Sequence, residues 1–126
     1  RKKVEEAAVK YVTSEYQKRG YDIMSREKDN VGWDLDATNG RIRLKLEVKG
    51  LASGTISVHI TSNERAKMEA DKKHYRLCVV INAVKNPQMI VFVWDSSIGK
   101  WVLEDDNSIA LEIEQVASYI ASVEEI

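Results

Sequence analysis

The sequence predicts an α/β fold in which a central mixed β-sheet is flanked by helices. Apolar residues recur at three- and four-residue spacing near both ends of the chain, as they do in amphipathic helices. Between these ends, apolar and polar residues alternate, as they do in half-buried strands. The order of the segments is one helix, four strands, a second helix, two or three strands and a last helix, which is typical of a mixed sheet.

The predicted elements are bounded by recognisable turn and capping signals. Gly20 terminates the first helix, and Asn39-Gly40 forms the turn of a hairpin. Thr61 and Glu64 have the spacing of a capping box. The sequence predicts helices over 2–19, 62–73 and 111–123, and strands over 21–26, 33–38, 41–49, 55–60, 77–84, 89–94 and 101–103. The strand–helix–strand passage through residues 55–83 permits a parallel crossover.

Length and composition restrict the class of protein. The chain has 126 residues, 44% of them hydrophobic and 31% charged, which suits one domain with a buried core. No apolar run reaches transmembrane length and no signal peptide is recognisable, so we expect a cytoplasmic protein. The single cysteine, Cys78, lies in an apolar run and is expected to be an inert buried thiol. Because the chain begins at Arg1, we expect residues 1–126 to be a domain excised from a longer protein.

The net charge of −1 conceals an asymmetry along the chain. All 19 Lys and Arg lie within residues 1–100 together with 13 of the 20 acids, whereas residues 101–126 carry the other seven acids and no base. A basic body with an acidic terminal segment is compatible with binding nucleic acid on one face. An ordinary mixed surface with an acidic last helix explains the same charges equally well.

The predicted strand over 41–49 carries the most informative charges. Its polar face presents Arg43, Lys45, Glu47 and Lys49, and the hairpin brings Asp34 near Glu47. Two converging carboxylates repel each other unless a cation lies between them, and oxygen ligands suit Mg²⁺ or Mn²⁺. Lys49 beside them can orient the attacking water or help to deprotonate it, and can offset charge on a pentavalent phosphate. The alternative without a functional site is that these charged residues lie on a solvent-exposed strand face and have no catalytic role.

A further acid lies where the first helix should be apolar. Glu5 falls on the same helical face as Ala8, Val9, Val12 and Tyr16. An acid near a helix N-terminus is favoured by the helix dipole, which is the structural explanation. The functional explanation is that Glu5 reaches over the sheet toward the acids of the strands, and the helix pattern does not decide between the two. The sequence contains no phosphate-binding loop, nucleophile elbow or zinc-ligand spacing.

Five motifs occur in an order and spacing that together resemble a known family. The motifs are Val4-Glu5, Gly32-Trp33-Asp34-Leu35, Leu46-Glu47-Val48-Lys49-Gly50, Ile60-Thr61-Ser62-Asn63-Glu64 and Tyr75-Arg76-Leu77-Cys78-Val79-Val80. They resemble the NO VEIN-type C-terminal domain, a branch of the PD-(D/E)XK superfamily of restriction-endonuclease-like nucleases. The resemblance extends from about residue 4 to residue 94 and implies a restriction-endonuclease-like arrangement of the predicted sheet and helices.

The resemblance implies a metal-dependent DNA endonuclease that uses Mg²⁺ or Mn²⁺. It places metal-binding acids at Asp34 and Glu47, a catalytic lysine at Lys49, and a helical acid at Glu5 that supports the metal or its bound waters. Members of the family often have an aromatic residue after the Asn-Glu pair, where this chain has Arg65. They often accompany helicase, ATPase or methyltransferase domains in restriction and defence systems. We therefore expect DNA and such domains as partners and no association with a membrane. A homodimer is also possible.

Other functions remain open beside the nuclease. Five basic residues are candidates for phosphate contact, namely Arg41, Arg43, Lys45, Arg65 and Lys67. A non-catalytic module that binds nucleic acid or a partner protein on the same sheet predicts DNA binding that survives the loss of Glu47. A structural adaptor that binds through the acidic last helix predicts no DNA affinity at low salt, where electrostatic binding is strongest.

Overall fold

The computed structural model describes residues 2–116 and 121–125. In this part of the chain it contains two helices and a seven-stranded sheet. The helices are α1 (Lys2–Lys18) and α2 (Ser62–Ala70), and the strands are β1 (Asp22–Ser25), β2 (Leu35–Asn39), β3 (Ile42–Gly50), β4 (Tyr75–Ile81), β5 (Gln88–Asp95), β6 (Lys100–Leu103) and β7 (Asp106–Ala110). The fold is therefore mixed α/β, as the sequence predicts. No helix in the described ranges is long and apolar enough to cross a membrane.

The strands lie in the sheet in chain order, from β1 to β7. Every neighbouring pair is antiparallel except β3 and β4, which are parallel. A parallel pair requires a crossover connection, and residues 51–74, which include α2, supply it. The predicted crossover is therefore present, but it starts from β3 because residues 55–60 do not form a strand.

The prediction of a strand over 55–60 is wrong for a topological reason. Val58 and Ile60 alternate with polar residues and pack partly buried against Leu77 and Val79 of β4. This one-sided contact produces the period-two pattern of a strand. The neighbouring strand β3 is already hydrogen-bonded on both sides, to β2 and to β4. Residues 51–61 therefore cannot pair with it as a further strand.

The C-terminal predictions also need correction. Residues 111–116 and 121–125 are not helical, and residues 117–120 of the predicted helix lie outside the described residues. Leu111 and Ile113 instead pack, two residues apart, on the apolar clusters of the sheet. The sequence did not predict β7, because all five of its residues are exposed and give no alternation of apolar and polar side chains.

The two faces of the sheet are covered by different elements. On one face, Ala8, Val12 and Tyr16 of α1 pack on Leu46 and on Val80 of β4. On the other face, Met68 of α2 packs on Tyr75, and residues 51–61 pack on the odd-numbered residues of β4. Because side chains alternate along a strand, the odd-numbered residues of β3 lie on the face of α2.

Gly50 marks the closest approach of α1 to the sheet. A Cβ atom at this position would lie 2.8 Å from the Cβ of Ala8 and 2.9 Å from the carbonyl oxygen of Val4. Backbone atoms cannot move aside as a side chain can, so we expect Gly50→Ala to lower the free energy of unfolding by about 1–3 kcal/mol. Urea denaturation measures this loss. Gly54→Ala is the control, since the nearest atom to its Cβ lies 3.7 Å away. Equal stability of the two variants would contradict the prediction.

Candidate functional site

Glu47 is the only charged residue that is buried in the part of the chain described by the structure. It exposes 3% of its surface and projects from the middle of β3. Removing a carboxylate from water is unfavourable unless it is neutralised or partnered. The burial of Glu47 therefore excludes the alternative in which this carboxylate lies on a solvent-exposed strand face.

Asp34 is fixed beside Glu47 by its own backbone and by the end of β2. Its N–H donates to the carbonyl oxygen of Leu46 at 2.9 Å, and its carbonyl oxygen accepts from the N–H of Arg26 at 2.7 Å. β2 pairs with β3 only as far as Leu46. The next N–H of β3 on the side of β2 is that of Val48, and it therefore needs another acceptor. The Asp34 Oδ2 atom supplies it at 2.8 Å. The hairpin thus brings Asp34 close enough to Glu47 for its charge to raise the pKa of the Glu47 carboxyl.

Gly32 explains why a glycine precedes this aspartate. Its φ of +96° lies in the region that favours glycine, and a Cβ atom there would clash with the Cγ of Lys67 and lie 3.1 Å from the carbonyl oxygen of Asn63. The buried hydroxyl of Tyr75 donates to the Gly32 carbonyl oxygen at 2.8 Å. The turn is therefore held against α2 and β4, and the position of Asp34 is fixed with it.

Lys49 lies between two carboxylates. Its Nζ atom is 3.3 Å from Oε2 of Glu47 and 2.7 Å from Oε1 of Glu64. The same Glu64 oxygen accepts from the N–H of Thr61 at 3.0 Å, and the Thr61 hydroxyl accepts from the N–H of Glu64 at 3.1 Å. The predicted capping box is confirmed. Glu64 therefore joins the start of α2 to the lysine of β3.

The protonation states follow from this crowding. Burial, and then repulsion from Asp34 and Glu64, raises the pKa of Glu47 to about 9. Burial also raises the pKa of Asp34. Burial alone would lower the pKa of Lys49, but hydrogen bonds to Glu64 and Glu47 outweigh it and raise that pKa. At neutral pH, Lys49 is charged, and Glu47 keeps its proton as long as no divalent cation is bound beside it.

A cleft of about 420 Å³ opens beside these side chains. We call it the acid cleft. Residues from α1, the segment between β1 and β2, β3 and the segment 51–61 line it, including Glu5, Asp34, Glu47, Lys49 and His59. Glu5 is exposed, and the contact of its neighbour Val4 with Gly50 places it at the end of β3. All four residues that the sequence predicts as catalytic thus line one cleft.

The acid cleft offers carboxylate oxygens as ligands for one cation, but it does not supply a complete set of protein ligands. Within residues 2–116 and 121–125, no three His, Cys, Asp or Glu side chains are close enough together to hold a metal ion. Asp34 and Glu47 form a pair, and Glu5 does not complete a group of three with them. Mg²⁺ is typically bound by one or two carboxylates together with waters and substrate phosphates, so the donor set fits this ion.

Comparison of the sequence with models of known protein families gives a match that includes the residues of this site. The family model described as "Protein NO VEIN, C-terminal" matches residues 4–92. The chain belongs to this family. The match confirms the resemblance to the NO VEIN C-terminal domain and covers the chain from α1 into β5, which includes Glu5, Asp34, Glu47, Lys49 and Glu64. No curated protein and no solved structure matches the chain.

The basic candidates of this NO VEIN C-terminal domain separate into two groups. Arg41, Arg43 and Lys45 line a second cleft of about 410 Å³. Arg65 and Lys67 lie on α2 and line neither cleft. The Nη1 atom of Arg65 forms an ion pair at 3.1 Å with a glutamate one turn further along the helix. The stem of Lys67 covers the glycine turn described above.

Glu64 is the residue of the site that sequence reasoning assigned mainly to helix capping. Its contact with Lys49 depends on how α2 lies over the sheet, which residue spacing does not specify. The available signal was the position of Glu64 at the start of the helix that follows β3. Its pKa is lowered because the hydrogen bonds from Lys49 and from the Thr61 amide outweigh the effect of burial. Glu64 therefore holds Lys49 as a charged carboxylate.

Proposed function

We propose that this domain is a metal-dependent DNA endonuclease that hydrolyses phosphodiester bonds. The observation that carries the proposal is the convergence of Asp34, Glu47 and Lys49 on one cleft. A buried carboxylate pair facing a cleft is unfavourable by itself and becomes favourable with a cation between its members. We further propose a restriction-endonuclease-like architecture for the sheet and its two helices, a cytoplasmic location, and a role in restriction or defence beside helicase, ATPase or methyltransferase domains.

Each side chain of the acid cleft has a role in this proposal. Asp34 and Glu47 would hold the ion, and the carbonyl oxygen of Val48 would be a further oxygen ligand. When bound, Mg²⁺ or Mn²⁺ polarises the phosphate and lowers the pKa of a coordinated water. Glu5 lies at the rim of the cleft, where an exposed carboxylate can accept hydrogen bonds from waters around the ion.

Lys49 acts in the proposed reaction as a donor of hydrogen bonds. Hydrolysis forms a bond between a water oxygen and phosphorus and breaks one phosphorus–ester bond. The attacking water loses a proton to solvent, the leaving ester oxygen gains one from solvent, and negative charge accumulates on the phosphate oxygens in between. The charged ammonium of Lys49 stabilises that charge and orients the water. Its raised pKa argues against a role as the base that removes a proton from water. Glu64 holds the ammonium in place through the 2.7 Å contact.

Incubation with DNA tests the proposal directly. Purified domain is mixed with plasmid and with single-stranded DNA in the presence of Mg²⁺, Mn²⁺ or a chelator. We expect strand cleavage with one or both ions and none with the chelator. The exposed Lys10→Ala serves as a control variant and should cleave as the wild type does. Intact DNA under every condition would contradict the proposal.

A second candidate function is a domain that binds nucleic acid without cleaving it. The observation that favours it is the small number of acidic ligands, since the described residues offer a pair rather than a group of three. In this case Glu47→Gln would bind DNA as tightly as the wild type in the presence of a chelator, and neither protein would cleave DNA with Mg²⁺ or Mn²⁺.

A further inference from the structure

A second cleft lies beside the acid cleft and has the opposite charge. We call it the cationic cleft, and its principal residues are Arg26, Trp33, Arg41, Arg43, Lys45 and His74. It shares no lining residue with the acid cleft. Trp33 in one cleft directly precedes Asp34 in the other, so the turn that carries these two residues forms a common wall.

Two of the cations in this cleft are already neutralised and held in place. Arg26 pairs with Asp36, and Lys45 pairs with Asp71, each at 3.0 Å. The Arg26 guanidinium and the Lys45 ammonium also lie 5.8 Å and 4.6 Å from the centre of the Trp33 ring. These contacts orient the two side chains but leave little net charge on them.

The remaining charge of the cationic cleft belongs to Arg41 and Arg43. Both side chains are exposed at the start of β3, and neither forms an ion pair within the part of the chain that the structure describes. A guanidinium donates two parallel hydrogen bonds to a phosphate, which makes arginine well suited to that ligand. Two unpaired arginines in a cleft next to a proposed phosphodiester site therefore indicate a phosphate ligand.

The spacing along β3 relates the two clefts. Arg43, Lys45 and Glu47 project from the same face of the strand, because side chains alternate. At about 3.3 Å per residue, Lys45 lies about 7 Å and Arg43 about 13 Å along the strand from Glu47. The cations therefore extend away from the acid cleft in one direction. A ligand with repeated negative charges can contact both clefts, whereas a single phosphate cannot.

We propose that the cationic cleft binds backbone phosphates of the nucleic-acid strand whose reacting phosphate lies in the acid cleft. This inference rests on the proposed function for the identity of the ligand. The contacts are assigned to phosphate because guanidinium groups pair with phosphate oxygens through two parallel hydrogen bonds. The Trp33 ring already lies against two cations, so it is not free to stack on a base. Arg41 and Arg43 are the principal contacts.

The test is a binding measurement that does not require cleavage. Fluorescence anisotropy with labelled single- and double-stranded oligonucleotides is recorded in a chelator at several salt concentrations. We expect Arg41→Glu combined with Arg43→Glu to weaken binding about tenfold or more and to reduce the slope of log affinity against log salt by about two. Lys10→Glu combined with Lys85→Glu makes the same change in net charge elsewhere on the exposed surface and should retain most of the affinity.

The outcomes separate this inference from the proposed function. Unchanged binding by the arginine variant, an equal loss in both double variants, or no binding by the wild type at low salt would overturn it. Arg41→Ala combined with Arg43→Ala repeats the comparison if the glutamate variant does not fold by circular dichroism. Competition by a mononucleotide or by inorganic phosphate at the concentration of the oligonucleotide would also overturn it, in favour of a free anion ligand. If the arginine variant loses binding while the wild type binds DNA without cleaving it, the result supports phosphate binding by the cationic cleft and contradicts only the proposed nuclease activity.

Discussion

Lys49→Ala is expected to lower the rate of metal-dependent DNA cleavage about a hundredfold or more. Among the described residues, the Lys49 ammonium is the only cationic group that pairs with the buried Glu47. Removing a charge-stabilising donor of this kind typically costs a factor of about 10² to 10³. Cleavage of plasmid DNA under single-turnover conditions measures the loss. Lys10→Ala, on the exposed side of α1, is the matched control and should keep the wild-type rate.

Asp34→Asn and Glu47→Gln should reduce cleavage as strongly as Lys49→Ala, for a different reason. Each removes a charged ligand of the proposed ion and keeps the size of the side chain. The amide in Asp34→Asn retains an oxygen that accepts from the Val48 N–H, so the fold should survive, which circular dichroism checks. If all three variants cleave at the wild-type rate, the acid cleft is not the catalytic site.

Glu47→Gln is expected to stabilise the domain against unfolding at alkaline pH when no divalent cation is present. The native pKa of Glu47 is raised to about 9 from an ordinary value of 4.5, mainly by burial. Between these two pH values the folded protein holds a proton that the unfolded chain releases. Rising pH therefore favours unfolding, and the wild type loses up to about 1.4 kcal/mol of stability per pH unit through this group. The glutamine variant has no such proton and should not show this loss.

Urea denaturation at pH 5, 7 and 9 in a chelator measures the effect. The difference in the free energy of unfolding between Glu47→Gln and the wild type should grow in favour of the variant as the pH increases. Added Mn²⁺ should raise the stability of the wild type at pH 9 and leave that of the variant unchanged, because the ion takes the place of the proton on Glu47. Parallel pH dependences for the two proteins would contradict the expected pKa shift.

Local patterns were sufficient to predict much of the fold. The helical spacing of α1, the Asn39-Gly40 hairpin and the apolar runs of β4 and β5 each depend on residues close together in the chain. Residues 55–60 have the alternation of a strand, but strand formation also requires a free neighbour in the sheet, which is a property of the whole topology. The exposed strand β7 forms by pairing with β6 and therefore carries no hydrophobic signal of its own.

The candidate site was predictable to the extent that it depends on the hairpin. The turn at Asn39-Gly40 sets the register of β2 and β3, and that register brings Asp34 to Glu47. The burial of Glu47 and the contact of Lys49 with Glu64 could not be obtained in this way. Both result from the position of α2 and of residues 51–61 over the sheet, and that position depends on contacts between residues distant in sequence.

Calorimetric titration with Mn²⁺ at pH 7.5 most directly tests whether Asp34 and Glu47 together bind one divalent cation. Titrations in two buffers of different ionisation enthalpy report both the binding and the protons released. We predict one ion per domain, release of about one proton from Glu47 as the ion binds, and loss of binding in Asp34→Asn and in Glu47→Gln. Binding that persists unchanged in both variants, or no binding by the wild type, would contradict the account.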